Sequence, residues 1–324
     1  MKAIELTGFD GIESLKEVEA DRPRPGAGEV LVEVRAAGLN YADIETSRGR
    51  YPAIKPLPYV MGFEVAGVVA EVGSGVDGVA VGDRVASLTE GGGLAEYALV
   101  DAARVVAVPE PISFEEATTL LTQGLSAYAL ATYVARLRTG DRVLIQAAAG
   151  GVGLFLVQLA KIAGVRQIVA LASSPGKLAL LDTLGADVTI DYTEPDWARR
   201  AREATGGAGF DVVLNCVSGD VARESFEMLA PLGRFVVYGA QNLHDVSLPG
   251  QLRQLILDSQ SVLGFSLRYT TPEQLAEGFS ALLGFAVEGR IKLFADNRFP
   301  LSEVREAAAA LAGRGTIGKV VLTP

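Results

Sequence analysis

Two stretches of this chain hold residue types at spacings that could do chemistry. The first is Ala147-Ala-Ala-Gly-Gly-Val-Gly153, which follows the apolar run Arg142-Val-Leu-Ile-Gln146 and leads into Leu154-Phe-Leu-Val-Gln-Leu-Ala160. Strand, glycine turn and helix in that order gather free backbone N–H groups and the positive end of a helix dipole at one point, where a diphosphate is stabilised. Gly150 and Gly153 fit the G-x-G-x-x-G fingerprint, while Ala148 takes its first place. The expected diphosphate cradle is therefore Gly150, Gly151, Val152 and Gly153. The second stretch is Ala172-Ser-Ser-Pro-Gly-Lys177, the turn after the next apolar run. A fold selective for NAD places Asp or Glu there to hold the ribose 2′-hydroxyl, and this turn has no acid. Hydroxyls at Ser173 and Ser174 and a cation at Lys177 suit a 2′-phosphate, with a further hydroxyl from Tyr192. NADPH is the expected cofactor. The alternative is that the two serines only cap the next helix and Lys177 is a solvated surface cation.

These stretches need a sheet to hold them. From Arg142 onward strand and helix patterns alternate: strands at Arg142–Gln146, Ile168–Ala172, Val188–Asp191, Asp211–Asn215, Arg234–Tyr238 and Ser261–Leu267, with helices at Lys177–Leu184, Trp197–Ala204 and Val221–Leu229. That is the strand count of a doubly wound, Rossmann-type α/β domain. Before it, short β-branched runs (Val30–Arg35, Val65–Val72, Tyr97–Val100, Val105–Val108) separated by Gly and Pro predict a partly open barrel or folded sheet. Ser113-Phe-Glu-Glu116 reads as a capping box opening a helix, and a second helical stretch runs from Gly124 to about Arg136. A helix at Gln274–Val287 and a strand at Lys319–Leu322 close the chain and return to the first domain. The expected domains are residues 1–122 with 262–324, and residues 123–261.

Composition narrows the function classes. The chain has 324 residues, enough for two domains with cores of their own. A net charge of −10 speaks against a nucleic-acid binder. One cysteine (Cys216) and one histidine (His244) exclude an internal disulfide and any multi-cysteine zinc site, so no metal is expected. The opening Met1-Lys-Ala-Ile-Glu-Leu6 lacks the apolar segment of a signal peptide, and no apolar run approaches the roughly 20 residues of a membrane span. The expected compartment is the cytoplasm.

Ala37-Gly-Leu-Asn-Tyr-Ala-Asp43, Gly62-Phe-Glu-Val-Ala-Gly67, Val81-Gly-Asp-Arg-Val85, Ala147–Gly153 and Gly318-Lys-Val-Val-Leu322 together resemble the medium-chain dehydrogenase/reductase superfamily. They most resemble its zinc-independent quinone oxidoreductase (zeta-crystallin-like) branch. Val237-Tyr-Gly-Ala-Gln-Asn242 and Gly264-Phe-Ser-Leu267 add features of the vesicle-amine-transport-like members. The resemblance implies a GroES-like barrel as catalytic domain beside the Rossmann domain, and a homodimer joined through the Ser261–Leu267 edge strand. The alcohol dehydrogenases of the superfamily ligate zinc with a cysteine where this chain has Asn40 and a histidine where it has Phe63. Glu64 remains, and a lone carboxylate is no zinc site.

By the same resemblance the cofactor would touch Ser126, Cys216, Val217, Tyr238, Gly239, Ala240 and Asn242, with Phe265, Ser266, Leu267 and Lys319 closing the site. Asn40 is implied as a hydrogen-bonding residue to cofactor or substrate. Tyr41 and Tyr51 stand where enoyl reductases of the superfamily carry tyrosines linked to protonation. A phenol of ordinary pKa, about 10, donates at neutral pH, which suits a reduction. Equally, both rings could be walls, with solvent supplying the proton. Without a Lewis acid the accessible acceptors are those whose conjugation spreads the incoming charge: quinones and other α,β-unsaturated carbonyls. The expected activity is thus that of an NADPH:quinone oxidoreductase. The alternatives are an enoyl-thioester reductase and a non-catalytic NADPH-binding or trafficking protein.

Overall fold

The structure, a computed structural model, describes residues 1–52, 55–240 and 252–324. It divides into two compact units, Met1–Gln123 with Leu275–Pro324, and Gly124–Gln274.

The first unit opens with β1 (Lys2–Leu6), β2 (Leu15–Glu19) and β3 (Glu29–Leu39), followed by α1 (Tyr41–Ser47), β4 (Tyr59–Val60), β5 (Glu64–Val72), β6 (Arg84–Leu88), β7 (Tyr97–Asp101), β8 (Val106–Ala107) and α2 (Phe114–Thr119). Strand β3 is the spine. Its side chains are buried nearly throughout, and it pairs antiparallel with β5 on one edge and with β7 on the other. A bulge lets it change neighbours along its length, because its last residues pair instead with the final strand of the chain. The sheet curls around one apolar core that includes Leu6, Val32, Leu39, Val65, Val85 and Leu322. Helix α2 starts on the expected capping box: Ser113 Oγ accepts from Glu116 N at 3.1 Å, and Glu116 Oε2 accepts from Ser113 N at 2.9 Å.

The helical stretch expected from Gly124 is less regular than its pattern implied. Leu121 leaves helical geometry (φ −72°, ψ −108°). Only Ser126–Ala129 (α3) is α-helical, and beyond it the winding widens, with Ala135 N donating to Leu130 O.

The second unit then alternates β9 (Arg142–Ile145), α4 (Gly151–Ile162), β10 (Gln167–Ala172), α5 (Pro175–Leu184), β11 (Val188–Asp191), α6 (Trp197–Ala204), β12 (Phe210–Asn215), α7 (Gly219–Glu227), β13 (Leu229–Val237), α8 (Leu252–Leu257) and β14 (Ser261–Gly264). All six strands are parallel, in the order β11-β10-β9-β12-β13-β14. This is the doubly wound Rossmann order, with the direction of winding reversing between β9 and β12. Its apolar strands are buried, as helices on both faces require, and Phe226 meets Phe235 edge-on at 5.2 Å in the core. Trp197 is buried in the same core. Paired charges join neighbouring strands: Arg142 at the start of β9 with Asp211 of β12, and Arg234 of β13 with Asp141 just before β9.

The chain returns to the first unit through α9 (Pro272–Val287), β15 (Asn297–Pro300), α10 (Val304–Ala312) and β16 (Val320–Thr323). Because β14 hydrogen-bonds to β13, residues 262–274 belong with the second unit, and the boundary lies at Gln274/Leu275 instead of the expected 261/262. The strand itself is shorter than expected: it stops at Gly264, and Leu267–Tyr269 form a single 3₁₀ turn.

Candidate active site

The register of the first unit's sheet brings three distant residues together. Val320 of β16 pairs with Leu39, and Val65 of β5 pairs with Ala37. Lys319 and Glu64, each one residue before those partners, therefore flank the end of β3 where Asn40 caps α1. Lys319 Nζ bonds to Glu64 Oε1 in a close ion pair and donates to Asn40 Oδ1 at 2.7 Å. Asn40 Nδ2 donates to the same Glu64 oxygen at 2.8 Å, and Glu64 Oε2 accepts from Thr122 N at 2.7 Å. Both charged side chains are fully buried and Asn40 is 6% exposed. Glu64 is thus not the lone carboxylate its sequence position implied, since a lysine 255 residues away neutralises it.

The glycine at position 38 makes room for the pair. A Cβ there would overlap the Glu64 carboxylate and the Lys319 Cε. Asp43, the third residue of α1, accepts from Asn40 N at 2.8 Å through Oδ2, while its buried Oδ1 has no partner among the described residues. Burial pushes the Asp43 carboxyl up to about 7; the Asn40 N–H and Lys319 pull against this, and Glu64 adds to it.

Tyr41 begins α1 next to Asn40. Burial lowers the Arg48 guanidinium, but hydrogen bonds to Glu45 and to the Tyr41 phenol outweigh it and hold Arg48 above its ordinary value. A phenol that accepts from a guanidinium keeps its own O–H for donation. Tyr51 packs its ring against Phe63 at 5.9 Å. Asn40, Tyr41, Tyr51 and Lys319 all lie in the first unit.

In the second unit the predicted cofactor residues line the carboxyl ends of the parallel strands. Gly150–Gly153 follow β9; Ser173, Ser174 and Lys177 follow β10; Tyr192 follows β11; Cys216 and Val217 follow β12; Tyr238, Gly239 and Ala240 follow β13; Phe265, Ser266 and Leu267 follow β14. Cys216 Sγ reaches Gln146 O at 3.6 Å across the point where the winding reverses, the usual ligand crevice of an open α/β sheet. Burial raises the Tyr238 phenol well above its ordinary value, and Cys216 beside it adds to the shift. Ser126 is buried on α3, which packs on α4. Asn242 lies outside the described residues, as does His244.

The turn into α4 has the form a diphosphate requires. Gly150 caps the helix with extended backbone (φ −77°, ψ 169°), and the first intrahelical bond runs from Leu154 N to Gly150 O. The N–H groups of Gly151, Val152 and Gly153 precede that bond and have no acceptor within the helix. A Cβ at Gly153 would stand 2.5 Å from Ala147 O and 2.6 Å from Ala148 Cα, so only glycine lets the helix seat on its turn. At α5, Ser174 occupies the N-cap but makes no capping bond with its hydroxyl. Lys177, in the first turn of α5, has its ammonium lowered by partial burial.

Two family models match, the alcohol dehydrogenase GroES-like domain over residues 26–110 and the zinc-binding dehydrogenase over residues 151–283. A quinone oxidoreductase of Pseudomonas aeruginosa is 37% identical over 100% of this chain and 99% of its own length. The chain belongs to the medium-chain dehydrogenase/reductase superfamily. Human synaptic vesicle membrane protein VAT-1 homolog is 33% identical over 100% of this chain and 86% of its own. Among solved structures of the superfamily, Escherichia coli quinone oxidoreductase complexed with NADPH superposes with a TM-score of 0.92 at 32% identity, covering both chains completely. The CurK enoyl reductase follows at 0.89 and 32%, over 99% of this chain and 98% of that one.

Unlike the zinc-dependent members, this chain has Asn40 and Phe63 where the resemblance places metal ligands. Among the described residues no group of three or more His, Cys, Asp or Glu side chains could hold a metal ion. Nor is any described helix long and apolar enough to cross a membrane.

Proposed function

We propose that this protein is an NADPH-dependent reductase that passes a hydride to a quinone or another α,β-unsaturated carbonyl without a metal ion. The observation that carries the reading is the Lys319 ammonium, buried on Glu64 and Asn40. Glu64, where the resemblance leaves a carboxylate without its zinc partners, already has a cation, and a divalent ion beside Lys319 would be repelled in a site of low dielectric. Bound NADPH supplies the hydride. The protein's part is to bind, orient and donate.

On this reading the N–H groups of Gly151 to Gly153 hold the diphosphate, with Cys216, Val217, Tyr238, Gly239, Ala240 and Phe265 to Leu267 along the strand ends and Ser126 on α3. Ser173, Ser174, Lys177 and Tyr192 hold the 2′-phosphate. Asn40 offers its amide to cofactor or acceptor, and the Tyr41 phenol donates the proton that an enal requires. Tyr51, its ring tilted against Phe63, is a wall.

The phosphate assignment makes a selective prediction. Lys177→Ala weakens NADPH by roughly tenfold or more, the worth of one charge-assisted hydrogen bond, and leaves NADH nearly unchanged. Fluorescence titration with both cofactors reads the difference; equal losses for the two would contradict the assignment.

The likeness to CurK enoyl reductase supports a second reading, an enoyl-thioester reductase. Rapid-mixing absorbance at the nicotinamide band separates the two: turnover with benzoquinone or naphthoquinone and none with a crotonyl thioester supports the first, and the reverse supports the second. In the same assay Tyr41→Phe should cut turnover of an enal by about 10²-fold, within the range for a lost general acid, while sparing a quinone, whose reduced oxygens can take protons from solvent. An unchanged enal rate would remove Tyr41 from the mechanism. The exposed edge of β14 is where a second copy would extend the sheet, making a homodimer the assembly that fits this reading.

A further inference from the structure

We propose that Glu64 and Lys319 are positioning residues that lock the Asn40 amide in one orientation, so that it presents an N–H donor to a ligand oxygen. The proposal rests on the reading of Asn40 as a ligand-contacting residue and names what sets its polarity. A side-chain amide has two N–H donors on one end and a carbonyl oxygen on the other, and turning it by half a revolution exchanges them with little change of shape.

Here the exchange is forbidden. Asn40 Oδ1 faces an ammonium, which can only donate, and Nδ2 faces a carboxylate, which can only accept. The reversed amide would set N–H against Lys319 and C=O against Glu64, two repulsive contacts where no water relieves them. The main chain is held as well, since Asn40 N donates to Asp43 Oδ2 at 2.8 Å. Of the amide's donors one N–H is spent on Glu64, and the second is left for a ligand. The oxygen is already committed to a cation. A carbonyl or other oxygen acceptor is thus the class of group that Asn40 can take.

Stability is a weak reason for these charges to be there. A buried pair gains little over apolar side chains of similar volume, because both ions must first leave water. Position 38 is nevertheless glycine, and a Cβ added there would displace both ends of the pair. Glu64 is fixed from a second side by Thr122 N, so the clamp has an immobile anchor.

The test compares Asn40→Ala, the double variant Glu64→Leu/Lys319→Met, and the triple variant. NADPH affinity is read by fluorescence, kcat and KM are measured with benzoquinone, and the Asn40 side-chain amide is followed by ¹⁵N NMR in the cofactor-free protein. The clamp predicts that Asn40→Ala and the double variant each lose about tenfold in NADPH affinity or in kcat/KM, and that the triple variant loses no more than either. It also predicts that one Asn40 amide proton signal lies well downfield in the wild-type protein, as expected of an N–H held by a carboxylate, and moves to the ordinary free-amide position in the double variant. A double variant with wild-type affinity and turnover, or losses that multiply in the triple, would overturn the proposal. If the double variant does not fold, the wild-type spectrum decides: both Asn40 amide protons at ordinary free-amide shifts would equally overturn it. If Asn40→Ala changes neither binding nor turnover, the functional reading of Asn40 fails, and the two spectra alone judge the clamp.

Discussion

Lys319→Met should lower the stability of the first unit by about 3–5 kcal/mol, the usual cost of removing one partner from a buried ion pair. The side chain is fully buried, and its loss leaves the Glu64 carboxylate with only the Asn40 amide and the Thr122 N–H. Methionine fills nearly the same volume, so the cost is electrostatic and not that of a cavity. Adding Glu64→Leu should recover most of it, because the stranded charge is then gone. Urea denaturation followed by near-ultraviolet circular dichroism measures both steps. A single variant as stable as wild type would mean that water reaches the pair in solution, which would also weaken the metal-free reading of the site.

The second large effect is a dependence on pH set by Asp43. Its carboxyl is pushed from 3.8 to about 7 in the folded protein, chiefly by burial. Between these values the unfolded chain has released the proton while the folded protein still holds it, so stability falls as pH rises through that window and levels off above about 7. At about 1.4 kcal/mol per unit the fall amounts to about 4 kcal/mol. The charged groups that face Asp43 are Lys319, which opposes the shift, and Glu64, which adds to it; the Tyr59 phenol is raised by burial first and by Asp43 second. Asp43→Asn keeps an acceptor for the Asn40 N–H and cannot ionise. It should flatten the stability profile between pH 4 and 7, at some cost for its unpartnered amide. A wild-type profile already flat across that window would show that Asp43 ionises freely.

Much of the fold was legible in the sequence because it rests on local signals. The six parallel strands are apolar runs punctuated by glycine and short polar turns, and the Ser113–Glu116 capping box is a pattern four residues long. Gly153 could be read as the glycine that seats α4 on its strand, and the Ala147–Ala148 backbone under it bears this out. The strands β1 and β2 were harder: in Lys2–Leu6 and Leu15–Glu19 apolar and charged residues alternate too briefly to stand out, and their pairing depends on each other. Irregular winding between Leu120 and Val134 left no mark, since apolar periodicity does not distinguish one helical pitch from another over so few residues.

The candidate site divides the same way. The strand ends that would hold the cofactor are local features of one unit, and the missing acid before Lys177 is visible by inspection. The clamp on Asn40 is not, because its parts come from β3, β5 and β16 and meet only through sheet register. One signal was available: Glu64 and Lys319 are opposite charges, each set beside an apolar strand, in Gly62-Phe-Glu-Val and Gly318-Lys-Val-Val. Charged residues so placed must be paired if they are buried.

Hydride transfer from NADPH to a conjugated carbonyl should need no metal ion. Protein dialysed against a strong chelator and verified metal-free should be mixed rapidly with NADPH and 1,4-benzoquinone. The reduced-nicotinamide absorbance should be lost at the same rate as in untreated protein, with no acceleration when zinc is restored. Activity that vanishes on metal removal and returns with zinc would contradict it.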